Sequence, residues 1–180
     1  MTSGYAPAGD GRGRELAFGG MFGAAALVFP FFFHVLHLGH IFMPMYIPLM
    51  AMPFFVRPLT AALAGGIAPL LSALLTGMPP LFPPVAPVMA IELAMMAGGL
   101  AFLRRRWPAV PMFIHLLAVL IAGRLINAGL LYLSSLLLDL PAAFIAGISF
   151  ISGWPGVILM MLVIPPIARV KTMLGGGTHA

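Results

Sequence analysis

Apolar residues fall in long, nearly unbroken runs along this chain, not in the strict alternation of a half-buried strand. Six runs, 16–36, 41–56, 59–76, 85–103, 109–137 and 141–168, approach the roughly 20 residues an α-helix needs to cross a bilayer. Each is bounded by a short polar, glycine- or proline-containing stretch, so the pattern predicts an all-α integral membrane protein with a six-helix bundle. The second and third runs are short and carry Pro44, Pro48, Pro53 and Pro69; either is expected to be broken or tilted. The first 14 residues and residues 171–180 are expected as flexible tails around a membrane domain over 15–170. The first apolar run is too long for a signal-peptide core.

Composition narrows the picture. The chain is 62% hydrophobic and 7% charged, against about 25% charged in soluble domains, so it cannot cover a water-facing surface. With no cysteine, disulfides, thiol catalysis and cysteine-ligated metal centres are all excluded. The net charge of +5 matters by its placement. Arg12, Arg14, Arg57, Arg104, Arg105, Arg106, Arg169 and Lys171 all fall on one side if the chain crosses six times. The opposite connections (38–40, 77–84 and Asp139) hold no Lys or Arg. The positive-inside rule then puts both termini in the cytoplasm, and the basic balance reports topology, with no nucleic-acid partner expected.

Two charges remain inside the apolar runs. An ionised side chain in hydrocarbon costs at least about 2.5–3.5 kcal/mol, so it faces the bundle interior and has a partner. Glu92 and Arg124 are expected about 10–15 Å below the outer surface, at about 1.5 Å per residue. Matching depth on successive helices makes them a structural ion pair or two walls of one polar pocket. Arg124, Asn127, Leu131 and Ser134 share a helix face by spacing. A guanidinium, an amide and a hydroxyl stacked along one stripe suit a ligand carrying a carboxylate, phosphate or ring carbonyl. Further along, Ser149 and Ser152 precede Gly153-Trp154-Pro155-Gly156, where the helix is expected to loosen and Trp154 to pack in the bundle or stack on a flat ligand.

His34, His37 and His40, followed by Met43, Met45 and Tyr46, form a second cluster. Imidazoles and thioethers suit copper or haem iron, but Gly39 and Pro44 break the helix that would align them. The favoured assignment is a polar loop over a ligand pocket, with His37, His40 and Tyr46 contributing. The alternatives are a haem or transition-metal uptake protein, or an intramembrane metalloenzyme, using these histidines. His115 is nine positions from Arg124 and faces the opposite side of its helix, so an interface is expected for it. The proline-rich stretch 76–84 suits either a lid or a rigid connector. Small residues at Gly19/Gly23, Gly20/Ala24, Ala61/Gly65 and Ala62/Gly66 predict close helix approach.

These residues resemble a known family. Six spans in about 180 residues, the run HIFMPMYIPLM at 40–50, GGIAPLLS at 65–72, TGMPP at 76–80 and PVMAIELA at 87–94 look like the S component of an energy-coupling factor (ECF) transporter. The resemblance extends over most of the chain. It implies a membrane-embedded subunit that captures a vitamin-like small molecule from outside and topples in the bilayer to deliver it. It also implies partners: a transmembrane T component and two cytoplasmic ATPases, which use the ATP. The chain itself is then no enzyme and holds no covalent cofactor. Family members dock through a small-residue pair on the first helix, for which Gly20 and Ala24 are the nearest match. The histidine that follows the initiator Met in the metal-specific branch is replaced by Thr2. The implied location is the cytoplasmic membrane of a prokaryote.

Overall fold

The computed structural model describes residues 10–35, 44–138 and 154–175, with side chains for 11–30, 44–138 and 154–169. These residues form six α-helices and one 3₁₀ turn, without strands: α1 (Asp10–Val35), α2 (Tyr46–Ala51), the 3₁₀ turn Met52–Phe54, α3 (Pro58–Thr76), α4 (Val85–Arg106), α5 (Met112–Leu137) and α6 (Trp154–Gly175). Helices α3, α4 and α5 are each long and apolar enough to cross a membrane. Helix α1 begins at Asp10 and α6 continues to Gly175, so helical structure reaches into both stretches expected as tails.

The second apolar run departs most from expectation. Over its described residues it forms the six-residue α2 and the 3₁₀ turn, and every residue from Tyr46 to Phe54 is buried. Pro53 has no N–H to donate to the carbonyl of Leu49, and there the chain tightens into the turn closed by Phe55 N–H on Met52 O at 2.8 Å. The segment is a core plug packed against α1, α4 and α6. Its Leu49, Met50, Met52 and Phe54 join Leu93, Met96, Leu100, Leu116, Leu120, Met160 and Ile164 in one buried cluster.

The third run, by contrast, is one continuous helix. Arg57 is extended ahead of Pro58, which occupies the first helical position, where a missing N–H costs nothing. Pro69 is accommodated within the helix. Gly77, with φ 74°, ends it in the left-handed conformation, its N–H on Ala73 O at 3.0 Å, a glycine termination.

Helices α3 and α4 make the most extensive pairing, and small residues set it. A Cβ on Gly65 would lie 2.5 Å from the Leu93 carbonyl oxygen, and one on Gly98 would lie 2.9 Å from Ala62 Cβ. Between α4 and α5 the same role falls to Gly123, whose missing side chain leaves room for Met96. Gly65 thus brings the backbone of α3 against that of α4, while Gly123 gives the Met96 side chain room against α5.

One end of the bundle collects charge. Glu15 on α1 accepts the Arg57 backbone N–H at 2.8 Å and the Thr60 hydroxyl at 2.7 Å, and its other oxygen is 3.4 Å from Arg57 Nε. Arg105 reaches the Val56 carbonyl at 3.4 Å, and Arg104 lies over the Phe54 ring at 4.0 Å. The start of α1, the α2–α3 junction and the end of α4 therefore share one end of the molecule.

Candidate functional site

Glu92 is fully buried a third of the way along α4. A lone carboxylate there would be expensive, and three donors from two other helices converge on it. Tyr46, at the first position of α2, donates its hydroxyl to Oε2 at 2.6 Å. Asn127 Nδ2 donates to the same oxygen at 2.6 Å. Arg124 Nη2 donates to Oε1 at 2.8 Å in an ion pair buried on both sides. The guanidinium also lies 5.5 Å from the centre of the Tyr46 ring.

Local structure explains the convergence. Arg124 and Asn127 are three apart on α5 and point the same way. Gly123 lets α5 close on α4 at Met96, one turn along from Glu92. Helix α2 starts at Tyr46, which is buried, so its phenol lies inside the bundle. Hydrogen bonds to an ionised group are short and about twice as strong as neutral ones; three of them offset the cost of burial.

Beside this hub is a cleft of about 50 Å³ lined by Leu120, Ile121, Arg124, Leu125, Trp154 and Val157. Its walls are almost wholly apolar, the Arg124 side chain included. Trp154 is 45% exposed at the first described turn of α6. The cleft has room for a few waters, well below the roughly 300–1,000 Å³ of small-molecule pockets. The cleft offers an apolar lining and the aromatic side chain of Trp154, while the Arg124 guanidinium turns to Glu92.

The structure thus brings together Tyr46, Glu92, Arg124 and Asn127, and places Trp154 on a cleft shared with Arg124. Ser134 does not join them. Its hydroxyl turns back onto Leu130 O at 2.8 Å, and Ser135 is the buried serine, bonded to Tyr132 O at 2.7 Å. At 3.6 residues per turn the position 11 beyond Arg124 lies about 20° from it, and the position 10 beyond lies about 80° away. His115 is buried, and its Nε2 has no hydrogen-bond partner among the described residues. His37, His40, Met43, Ser149 and Ser152 lie outside the described residues, as does the side chain of His34. Met45 is buried in the core. Among the described residues no three His, Cys, Asp or Glu side chains gather as a metal site.

Gly20 and Ala24 are exposed on α1, on a stripe with Leu16 and Val28, and a Cβ on Gly20 would meet nothing within 4 Å. Glu15 was missed as a structural residue: its position before the first apolar run suggests only a tail charge, and its partners Arg57 and Thr60 lie more than 40 residues away. The hydroxyl of Thr60 chiefly, and then the N–H and charge of Arg57, hold its carboxyl below the usual carboxylate range. No protein-family model, curated protein or solved structure matches the chain.

Proposed function

We propose that this chain is the substrate-capture subunit of an ECF-type importer, a six-span protein of a prokaryotic cytoplasmic membrane with both termini inside. It binds a vitamin-like small molecule from outside and passes it to a T component driven by two ATPases. The observation that carries the proposal is the buried hub on Glu92, in which a phenol, a guanidinium and an amide from α2 and α5 converge on one carboxylate inside apolar helices. Ionisable groups at that depth are costly to keep and mark ligand or ion pathways.

Two further features agree with the assignment. A cleft lined by Arg124 and Trp154 adjoins the hub, so that a flat aromatic side chain lies beside the ion pair. The Gly20/Ala24 stripe is open on the outside of α1, at the place where the resembling family docks its T component. At about 50 Å³ the cleft must widen for a vitamin-sized ligand, and α6 moving from α5 around Trp154 is the simplest way to widen it. Isolation of the tagged chain from its native membranes in mild detergent tests the assignment. A T component and two ATPases are expected to co-purify, and Gly20→Leu is expected to release them. Recovery of the chain without ATPase subunits contradicts the assignment.

A further inference from the structure

We propose that the arginine-rich end of the bundle binds the phosphate-bearing headgroup of an anionic lipid, through Arg105 and Arg106 with Trp107 beside them. Helix α4 ends in three consecutive arginines. One cation suffices to complement the negative end of a helix dipole, and Arg104 fills that place, half-buried against Phe54. Arg105 and Arg106 are exposed. Arg105 makes one long bond, 3.4 Å, to the Val56 carbonyl, and Arg106 lies 5.6 Å from the ring of Trp107, itself 48% exposed.

The same end holds Arg57, which the contacts of Glu15 bring in, and Arg12 and Arg14 one turn or less from Glu15 on α1. Glu15 is the one carboxylate among the described side chains at this end, so the patch is strongly positive. Large apolar side chains adjoin it in the chain: Phe102, Phe113 and Ile114 are each more than half exposed. An inorganic anion satisfies the arginines and leaves these groups unmatched, whereas a lipid meets both with headgroup and acyl chains. Lipid is also favoured over an acidic protein surface, because α4 and α5 are apolar enough to span and their ends therefore lie at the level of the bilayer phosphates.

The test uses the full chain in a neutral detergent, with bound lipid read by native mass spectrometry. Phosphatidylglycerol, phosphatidylcholine with the same acyl chains, and inorganic phosphate are added in separate arms. Phosphatidylglycerol is expected to be retained at least about fivefold over phosphatidylcholine, and Arg105→Gln with Arg106→Gln to lower its retention by roughly 25-fold, at about fivefold per arginine. Inorganic phosphate is expected not to displace it. Arg106→Gln alone, at about fivefold, serves if the double variant fails to fold. Equal retention of the two lipids points to an acidic protein surface and overturns the proposal. Displacement by inorganic phosphate assigns the patch to free anions and overturns it too, as does undiminished phosphatidylglycerol binding by folded variants.

Discussion

The hydroxyl of Tyr46 is 2.6 Å from Oε2 of Glu92, a residue 46 positions further along the chain. That contact ties the short buried helix α2 to the long helix α4, and the same carboxylate ties α4 to α5 through Arg124 and Asn127. One carboxylate therefore ties three segments together inside a bundle whose described core is otherwise mainly apolar.

Removing one side of the buried pair leaves the other uncompensated. Arg124→Ala is expected to destabilise the protein by about 3–5 kcal/mol, read as a lowered midpoint of thermal unfolding in detergent. Replacing both partners together, Glu92→Met with Arg124→Met, is expected to recover most of that loss, because the charge and its desolvation go together. Tyr46→Phe costs less, about 1.5–3 kcal/mol, as one hydrogen bond to a charged group.

The α3–α4 crossing discriminates between adjacent glycines. Gly65→Ala drives a methyl into the Leu93 carbonyl at 2.5 Å, and two backbones must separate; a cost of about 1–3 kcal/mol is expected, as for an overpacked core. Gly66→Ala meets Ala94 Cβ at 3.5 Å, ordinary contact, and is expected to be neutral or slightly stabilising through helix propensity. The two single variants, melted side by side, check the crossing.

The tie from α1 to α3 is acid-sensitive. The folded state holds the Glu15 carboxyl below its ordinary value of 4.5, chiefly through the Thr60 hydroxyl. A depressed folded pKa contributes stability above the unfolded value, and that stability is lost as pH falls through the folded one. Wild type is therefore expected to melt above Glu15→Gln at neutral pH, and the two curves to converge as pH drops below about 4.5. A difference that is constant from pH 7 downward contradicts the assignment.

Much of this organisation was legible in the sequence because helix spans depend on local hydrophobicity. Helix α3 starts at Pro58 and α5 ends at Leu137, within one residue of the limits the apolar runs suggest. The meeting of Glu92 and Arg124 was legible too, since two opposite charges at equal depth have few other places to go. The second run was not: its prolines announce a break, but only packing shows that the remnant is buried on every side. Tyr46 was visible as a polar residue near the site, while its bond to Glu92 depends on how the buried segment packs against α4. Glu15 was missed because nothing local distinguishes a tail carboxylate from one held by Thr60 and Arg57. Ser134 was misplaced because ten positions from Arg124 leave it about 80° round the helix from the stripe.

The absence of cysteine makes topology directly measurable. A single Cys at Leu81, exposed between α3 and α4, is expected to react with a membrane-impermeant maleimide in intact cells. A single Cys at Trp107, exposed beyond α4, is expected to react only after the membrane is opened. The reverse pattern inverts the orientation, and labelling of both from one side contradicts a membrane-spanning α4.

The central claim is ligand capture at the Glu92 hub, and native mass spectrometry of the purified chain tests it most directly. Wild type released from mild detergent is expected to carry a small organic molecule in defined stoichiometry. Arg124→Ala and Glu92→Ala, shown folded by circular dichroism, are expected to lose it. Wild type without any bound organic molecule when purified from its native membranes, or folded variants that carry the same molecule at the same occupancy, contradicts the account.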